Sequence, residues 1–225
     1  YKNAVIDQSI KTTKDLKKQA STLESNIKSN ASNQSDDYES TLTTELAKYG
    51  YASYEELNDY CLTSVKEKEM NKKYITKHFD EVKKAWEEKS PRTVSIIKMD
   101  VSDADNLTET ETKKKSNIDK ALEKESFADV AKAFSEDSNT ANKNGFAGYV
   151  DSNSTSSDSS STSTVPADVV TAAIGLKKGE TSDWITVTSS SGTSLYKVYV
   201  NQTDSKKIFN AKSDTVSNQA LYAVL

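Results

Sequence analysis

The stretch SDWITVTSSSGTSLYKVYV, residues 182–200, decides how the second half of the chain is interpreted. It contains two runs, SDWITVT and SLYKVYV, that are rich in the β-branched and aromatic residues favoured in strands. The serines and the glycine between them are typical of turns. The stretch therefore predicts two strands of a small antiparallel sheet.

The residues before this stretch supply more strands and the helices that connect them. RTVSIIKMDV (92–101) indicates a strand, and NGFAGYV (144–150) indicates a turn followed by a strand. Apolar spacing and capping residues predict helices over 111–126, 126–134 and 166–174. The order strand, helices, strand, helix and two strands predicts an α+β fold class, in which helices flank a small antiparallel sheet.

A serine- and threonine-rich tract, DSNSTSSDSSSTST, interrupts this pattern at 151–164. Such a composition holds too few apolar side chains to bury a core, so the tract is predicted to be a disordered loop outside the sheet.

The first 90 residues have the apolar spacing of helices. Between Leu16 and Ile27 an apolar residue recurs every three or four positions, which places the apolar residues on one helix face. Ser53 and Glu56 have the spacing of a capping box at the start of another helix. The last 20 or so residues also have a helical pattern, so helices are predicted at both ends of the chain.

Composition excludes several classes of function. The mean hydropathy is −0.73 and no run approaches the ~18 consecutive apolar residues of a membrane helix. The net charge is −4 and Arg92 is the only arginine, which argues against nucleic-acid binding. No zinc-ligand spacing, phosphate loop or nucleophile triad is present, so neither a metal nor a cofactor is predicted. Cys61 is the single cysteine, so an internal disulfide is excluded.

Residues 92–201 resemble the parvulin family of peptidyl-prolyl cis/trans isomerases. SFADVAKAFSED is similar to the family's helix and the Ser-Asp turn after it, and NGFAGYV to its glycine-rich strand. AAIGLKKGETSDWITV resembles its apolar helix, Lys-Gly-Glu loop and strand. SLYKVYV resembles its last strand, in which the family carries a histidine where Ser194 stands.

The helical first half resembles the chaperone portion of foldases of the SurA/PrsA type. LAKYGYASYEEL, followed by a long helix and the PRTV entry into the first strand, carries this similarity. The resemblance implies a parvulin-like module, 91–201, inserted in a helical chaperone domain formed by 1–90 plus 202–225. It also implies an extracytoplasmic protein held at the outer face of a bacterial cell membrane, with any export signal or lipid anchor expected before Tyr1.

The same resemblance implies which residues form the site. Parvulins carry two histidines and a Cys or Asp beside an apolar proline pocket, and Ser95, Ser194 and Asp137 stand at the matching positions. Both histidines are thus replaced, and we expect the three polar side chains to lie close together.

The substrate-binding pocket is expected at Ala147, Val165 and Val169, where the family carries larger apolar side chains. Smaller side chains there imply a shallow pocket and weak proline binding.

Simpler interpretations of these residues stay open. Ser95 and Ser194 are also ordinary polar strand residues, Asp137 is a turn or cap residue, and the two valines suit a core. His78, the only histidine, and Cys61 fit a helix surface and a helix core. A set of aromatic residues lines either a client-binding crevice or a small helical core: Tyr38, Tyr49, Tyr51, Tyr54, Tyr60, Tyr74 and Trp86.

The first functional hypothesis is an extracytoplasmic foldase that binds unfolded exported polypeptides, with weak or absent prolyl isomerase activity. The alternatives are an active peptidyl-prolyl isomerase that assists the folding of secreted proteins, and a surface structural or adhesion module that shares the fold. No nucleic-acid partner is expected, and a membrane is contacted only through an N-terminal lipid anchor. Both a monomer and a dimer remain open.

Overall fold

A computed structural model describes residues 2–155, 165–211 and 214–224. The chain divides into two compact units, 1–78 and 79–225, and each is described separately below.

The first unit is helical. Its helices among the described residues are α1 (Lys2–Ser9), α2 (Lys14–Ser32), α3 (Tyr38–Ala47) and α4 (Leu57–Lys77). The predicted capping box is confirmed, since Ser53 and Glu56 satisfy each other's backbone N–H groups just before α4. The core of this unit contains Ile10, Leu16, Ala20, Leu46, Leu57, Cys61 and Val65.

The second unit contains a four-stranded antiparallel sheet with helices around it, so the predicted α+β class is confirmed. Its first elements are α5 (Phe79–Glu87), β1 (Arg92–Val101), α6 (Glu109–Leu122), α7 (Phe127–Phe134), α8 (Ser138–Ala141) and β2 (Phe146–Val150). They are followed by α9 (Ala167–Gly175), β3 (Ile185–Ser189), β4 (Gly192–Gln202), α10 (Ser205–Phe209) and α11 (Asp214–Val224). The strands lie in the order β2-β1-β4-β3.

Helices cover both faces of the two central strands. The face toward α9, called the α9 face below, has a core of Val94, Ile96, Val150, Val165, Val169, Val170, Ala173, Tyr196, Val198 and Val200. The opposite face, toward α6 and α7, has a core of Ile97, Met99, Val101, Ile118, Phe127, Val130, Ala131 and Leu195. Side chains of a strand alternate between faces, so even-numbered residues of β1 and β4 face α9 and odd-numbered ones face α6 and α7.

Arg92 has a structural role at the edge of this fold. Its side chain is 6% exposed and donates hydrogen bonds to the carbonyl oxygens of Ala173 and Leu176 at the end of α9. The last carbonyls of a helix have no partner within the helix, so the guanidinium caps α9.

The compact units differ from the predicted division into 1–90 plus 202–225 and 91–201. Helix α5 and the residues after 202 cluster with the sheet, because Trp86 packs on Tyr149 of β2 and on Phe209 of α10. The predicted boundary is therefore corrected to His78/Phe79.

The prediction of a disordered loop at 151–164 is wrong for residues 151–155, which are folded. Asp151 is 3% exposed, and its carboxylate accepts hydrogen bonds from the backbone N–H groups of Asn153 and Ser154. Residues 152–155 form a short 3-10 helix on these bonds. The remainder of the tract, 156–164, lies outside the described residues.

Two features are absent from residues 2–155, 165–211 and 214–224. No helix there combines the length and apolar composition needed to cross a membrane. No group of three or more His, Cys, Asp or Glu side chains in the same ranges is arranged to hold a metal ion.

Candidate functional site

The three predicted pocket residues lie together on the α9 face. Val165 and Val169 belong to the core there, with exposed fractions of 4% and 0%, and Ala147 packs against the same core. Their side chains therefore fill the space between α9 and the sheet.

A polar group lies on the same face, toward the far end of β1 and the start of β4. Asp100 and Ser194 are cross-strand partners, and the Ser194 hydroxyl donates to the Asp100 carboxylate at 2.7 Å. The Lys98 ammonium contacts that carboxylate at 2.8 Å. Burial acts to raise the pKa of Asp100, but the hydrogen bonds from Lys98 and Ser194 lower it overall. The carboxylate is thus held in its charged form.

Asp137 lies beside this group because its loop runs along β1. The backbone N–H of Lys98 donates to Ser135 Oγ at 3.1 Å, and the N–H of Glu136 donates to the Lys98 carbonyl at 2.9 Å. The pKa of Lys98 is raised chiefly by its hydrogen bond with Asp100, and the nearby Asp137 carboxylate adds to the effect. Asp137 also caps α8, where it accepts hydrogen bonds from the Asn139 N–H and the Thr140 hydroxyl.

Tyr196 joins the polar group to the apolar core. It is the cross-strand partner of Lys98, and its ring is 9% exposed within the α9-face core. Burial raises the pKa of Tyr196; Lys98 opposes this, while Asp137 and Asp100 reinforce it. The phenol therefore stays a neutral hydrogen-bonding group at physiological pH.

Ser95 does not join the other two predicted polar residues. Its cross-strand partner on β4 is Tyr199, five positions from Ser194, which corresponds to about 17 Å at ~3.4 Å per residue. It also points to the opposite face, toward α6 and α7. The expected proximity of Ser95 to Ser194 and Asp137 is therefore wrong, because strand alternation and register separate them.

On that opposite face, Ser95 lines a cavity of about 670 Å³. Asn201 Nδ2 donates to the Ser95 hydroxyl at 3.0 Å, and Lys197 lies nearby on the same strand as Asn201. The stacked rings of Phe127 and Tyr199, with centroids 5.3 Å apart, form another part of the wall. Ser95 thus belongs to a polar cavity distinct from the α9 face.

Apolar side chains occupy the central strands beside the pocket residues. Val94, Ile96, Val198 and Val200 face α9 and have exposed fractions between 0% and 2%. Val94 precedes Ser95 and faces α9 in its place. An isopropyl group therefore lies on the α9 face where a serine hydroxyl was expected. These four strand positions therefore place apolar side chains, and not the predicted polar side chains, beside Val165 and Val169.

Sequence reasoning missed Lys98, Asp100 and Tyr196. The signal available was the i, i+2 spacing of Lys98 and Asp100, which places both side chains on one face of a strand. Their cross-strand partners depend on the pairing register of β1 with β4.

The other residues singled out from the sequence, Cys61, His78 and the tyrosines, lie in the first unit. Cys61 is fully buried, and burial raises its thiol pKa to about 11. His78 stacks on Tyr74 with ring centroids 4.5 Å apart. Tyr38 packs edge-on against Tyr54. These positions agree with the simpler interpretation, whereas Tyr49, Tyr51 and Tyr60 surround a cavity that is described below.

Several solved structures to which the chain is similar are PrsA proteins. The foldase protein PrsA from Streptococcus pneumoniae is 22% identical, with 99% of this chain and 75% of that chain covered and a TM-score of 0.41. The peptidylprolyl isomerase PrsA from Bacillus cereus is 17% identical, with coverage of 99% and 72% and a TM-score of 0.37. That from Bacillus anthracis is 18% identical, with coverage of 99% and 92% and a TM-score of 0.34.

No curated protein matches the chain. The family model described as Rotamase: PPIC-type PPIASE domain matches residues 95–199. This range runs from β1 to β4 and contains the α9 face with its pocket residues and polar group. Residues 95–199 therefore belong to the parvulin-type family of peptidyl-prolyl isomerase domains.

Proposed function

We propose that the protein is an extracytoplasmic foldase that acts as a chaperone for unfolded exported polypeptides, with weak or absent prolyl isomerase activity. The observation that carries this proposal is the apolar character of the α9 face beside the pocket residues. Val94, Ile96 and Val198 occupy the strand positions there, and Ser95 points away.

An isomerase must stabilise a twisted prolyl amide more than the planar one, against a barrier of ~18–20 kcal/mol. Polar groups aimed at the amide supply this preference. Valine and isoleucine side chains have no hydrogen-bonding group to offer. Losing even ~3 kcal/mol of transition-state stabilisation lowers the rate roughly a hundredfold.

The residues at the predicted pocket also support the proposal, because their side chains favour only weak binding of a proline ring. Val165 and Val169 are buried in the core of the α9 face, and Ala147 contributes only a methyl group. A fully buried large apolar side chain contributes ~1.5–3 kcal/mol, so small side chains reduce the apolar contact with a proline ring.

The helices of the first unit are the proposed client-binding part, as the resemblance to PrsA-type chaperone regions implies. Its partners are unfolded or partly folded exported polypeptides. Membrane attachment through an N-terminal lipid anchor at the outer face of a bacterial cell is part of the same proposal. A surface structural module is the alternative that the next experiment separates.

Light scattering of an aggregating client tests the chaperone activity. We expect an equimolar amount of the protein to slow aggregation of a chemically unfolded client that contains no proline. Bovine serum albumin at equal mass is the control for nonspecific protection. Unchanged aggregation would contradict the proposal and favour a structural module.

A working isomerase is the second candidate, and the polar group on the α9 face favours it. Asp137, Ser194 and Lys98 lie near the buried Tyr196, so hydrogen-bonding groups are present at one end of the core. A protease-coupled assay on a proline peptide tests this candidate. Activity that is lost in Asp137→Ala but kept in Asp137→Asn would indicate only a capping role, whereas loss in both variants would assign the carboxylate to catalysis.

A further inference from the structure

A second cavity lies entirely within the first unit, and neither the family match nor the proposed isomerase site includes it. Its volume is about 480 Å³, within the ~300–1,000 Å³ typical of ligand sites. We call it the tyrosine cavity and define it by Tyr49, Tyr51, Tyr60, Thr63 and Ser64.

Three aromatic rings form its wall. Tyr49 and Tyr60 have ring centroids 5.2 Å apart, and Tyr51 meets Tyr60 edge-on at 5.7 Å. Tyr60 is thus held between two rings, while Tyr49 is 59% exposed and presents its ring to solvent. The ring of Tyr49 at the mouth of the cavity is therefore accessible to an incoming group, while its other contacts hold it in place.

Hydroxyl groups are fixed around these rings. Tyr51 Oη donates to Thr63 Oγ1 at 3.0 Å, and the Ser64 hydroxyl also lines the cavity. The cavity therefore offers flat apolar rings together with groups that donate and accept hydrogen bonds. Tyrosine combined with small polar residues gives a rigid, amphipathic protein-binding surface of the kind that antibody paratopes use.

The charges at the rim are already paired. Lys2 contacts Glu67 at 2.7 Å, and Lys48 contacts Glu45 at 2.6 Å. The ligand that complements this cavity is consequently uncharged at the point of contact, because a net charge would meet no unpaired opposite charge there.

We propose that the tyrosine cavity binds an uncharged segment of an unfolded polypeptide by stacking one of its aromatic or proline rings on Tyr49. Tyr60 and Tyr51 support the ring of Tyr49, and the hydroxyls of the cavity bind the backbone of the segment. This inference rests on the proposed function, since it names the place at which a chaperone of this kind contacts its client.

Tyr74 provides a matched control. It lies in the same unit and is 58% exposed, nearly the same as Tyr49, but it stacks on His78 and is not part of the cavity. Replacing either tyrosine with alanine therefore removes a ring of similar exposure, but only Tyr49→Ala alters the cavity.

The test is fluorescence anisotropy with a labelled, uncharged peptide that contains a single phenylalanine, and with its proline and alanine counterparts. We expect Tyr49→Ala to weaken binding of the phenylalanine and proline peptides about tenfold, the effect of ~1.4 kcal/mol of lost ring contact. Tyr74→Ala and Tyr49→Phe are expected to change binding less than about twofold, and the alanine peptide to bind weakly to every variant. Equal effects of Tyr49→Ala and Tyr74→Ala, or no effect of either, would overturn the proposal.

Light scattering separates this inference from the proposed function. If Tyr49→Ala suppresses aggregation as well as the wild type does, the cavity assignment is overturned. The proposed chaperone function is not contradicted by that result. Peptide binding that depends on Tyr49 without any suppression of aggregation would support the cavity and contradict the chaperone function. Circular dichroism of Tyr49→Ala should match that of the wild type, because the ring is mostly exposed.

Discussion

At the scale of single residues, a buried hydrogen-bond chain joins α5 to the sheet. Trp86 Nε1 donates to Tyr149 Oη at 2.8 Å, and Tyr149 Oη donates to Asp151 Oδ2 at 2.9 Å. All three side chains are at most 6% exposed. Burial raises the pKa of Tyr149, with the Asp151 carboxylate as a second cause, so the phenol keeps the proton that it donates.

Tyr149→Phe is expected to destabilise the protein by about 2–3 kcal/mol, because it leaves the Trp86 N–H and one Asp151 oxygen without a partner in a buried site. The control is Tyr199→Phe, whose hydroxyl makes no hydrogen bond within the described part of the chain, and which should cost less than about 0.5 kcal/mol. Urea unfolding followed by tryptophan fluorescence measures both. Similar losses for the two variants would contradict the role of the buried chain.

Glu111 is half-buried, and the pKa of its carboxylate is lowered to about 2 by hydrogen bonds from the backbone N–H groups of Ser102 and Thr108. A folded-state pKa below the usual value of 4.5 gives a stability contribution that is present above pH 4.5 and is lost as the pH falls toward 2. Glu111→Gln should remove this part of the acid sensitivity.

The urea midpoint measured between pH 7 and pH 2 checks this prediction. Glu109→Gln is the control, since it removes a charge from the same helical turn without touching those hydrogen bonds. A urea midpoint of Glu111→Gln that falls with acid as steeply as that of the wild type would contradict this role of Glu111.

At the scale of elements, β1 explains why the strands were predictable and the site was only partly so. Its first six residues are all buried, because helices cover both faces of the sheet. The β-branched composition of RTVSIIKMDV therefore predicts a strand, but its alternation of polar and apolar residues changes phase at the consecutive Ile96 and Ile97. The apolar residues on the two sides of this phase change lie on opposite faces of the sheet, so the sequence alone does not indicate that Ser95 and Ser194 face different sides.

Helix starts were predictable because their caps are local. Ser126 accepts a hydrogen bond from the Asp129 N–H at the start of α7, as its position before the apolar run indicates. Asp137 illustrates the limit of such reasoning. Its capping bonds follow from sequence, whereas its position beside Lys98 depends on the path of the 135–137 loop along β1.

The turn before β2 requires a glycine. Gly145 has φ +77°, and a Cβ there would lie 2.6 Å from Ala131 Cβ and 2.8 Å from the Ile96 carbonyl oxygen. Gly145→Ala is therefore expected to destabilise by about 3 kcal/mol or more, from strain and overlap together.

Gly179 separates these two causes. Its φ is +87°, but nothing lies within 4 Å of an added Cβ, so Gly179→Ala should cost only about 1–2 kcal/mol of backbone strain. Thermal unfolding of both variants measures the difference. Equal losses would show that the contact of Gly145 with α7 and β1 contributes nothing.

At the scale of the whole molecule, the position of α5 determines where the second unit begins. Trp86 packs against Phe79, Tyr149 and Phe209, so the unit requires residues before the first strand. A chain of residues 79–225 should unfold cooperatively in urea. A chain of residues 91–225 should lose at least ~3–5 kcal/mol, the usual cost of removing a buried aromatic side chain. Equal stability of the two chains would contradict this boundary.

The family match of residues 95–199 and the apolar side chains beside Val165 and Val169 are the basis of our proposal that a parvulin-type scaffold is kept while isomerase activity is weak or absent. Proline-limited refolding tests this claim most directly, since spontaneous isomerisation takes tens to hundreds of seconds and is easily followed. With substoichiometric protein we predict a refolding rate within about twofold of the spontaneous rate. An acceleration of a hundredfold or more, lost in both Asp137→Ala and Asp137→Asn, would contradict the account and assign the chemistry to the polar group beside Lys98 and Ser194.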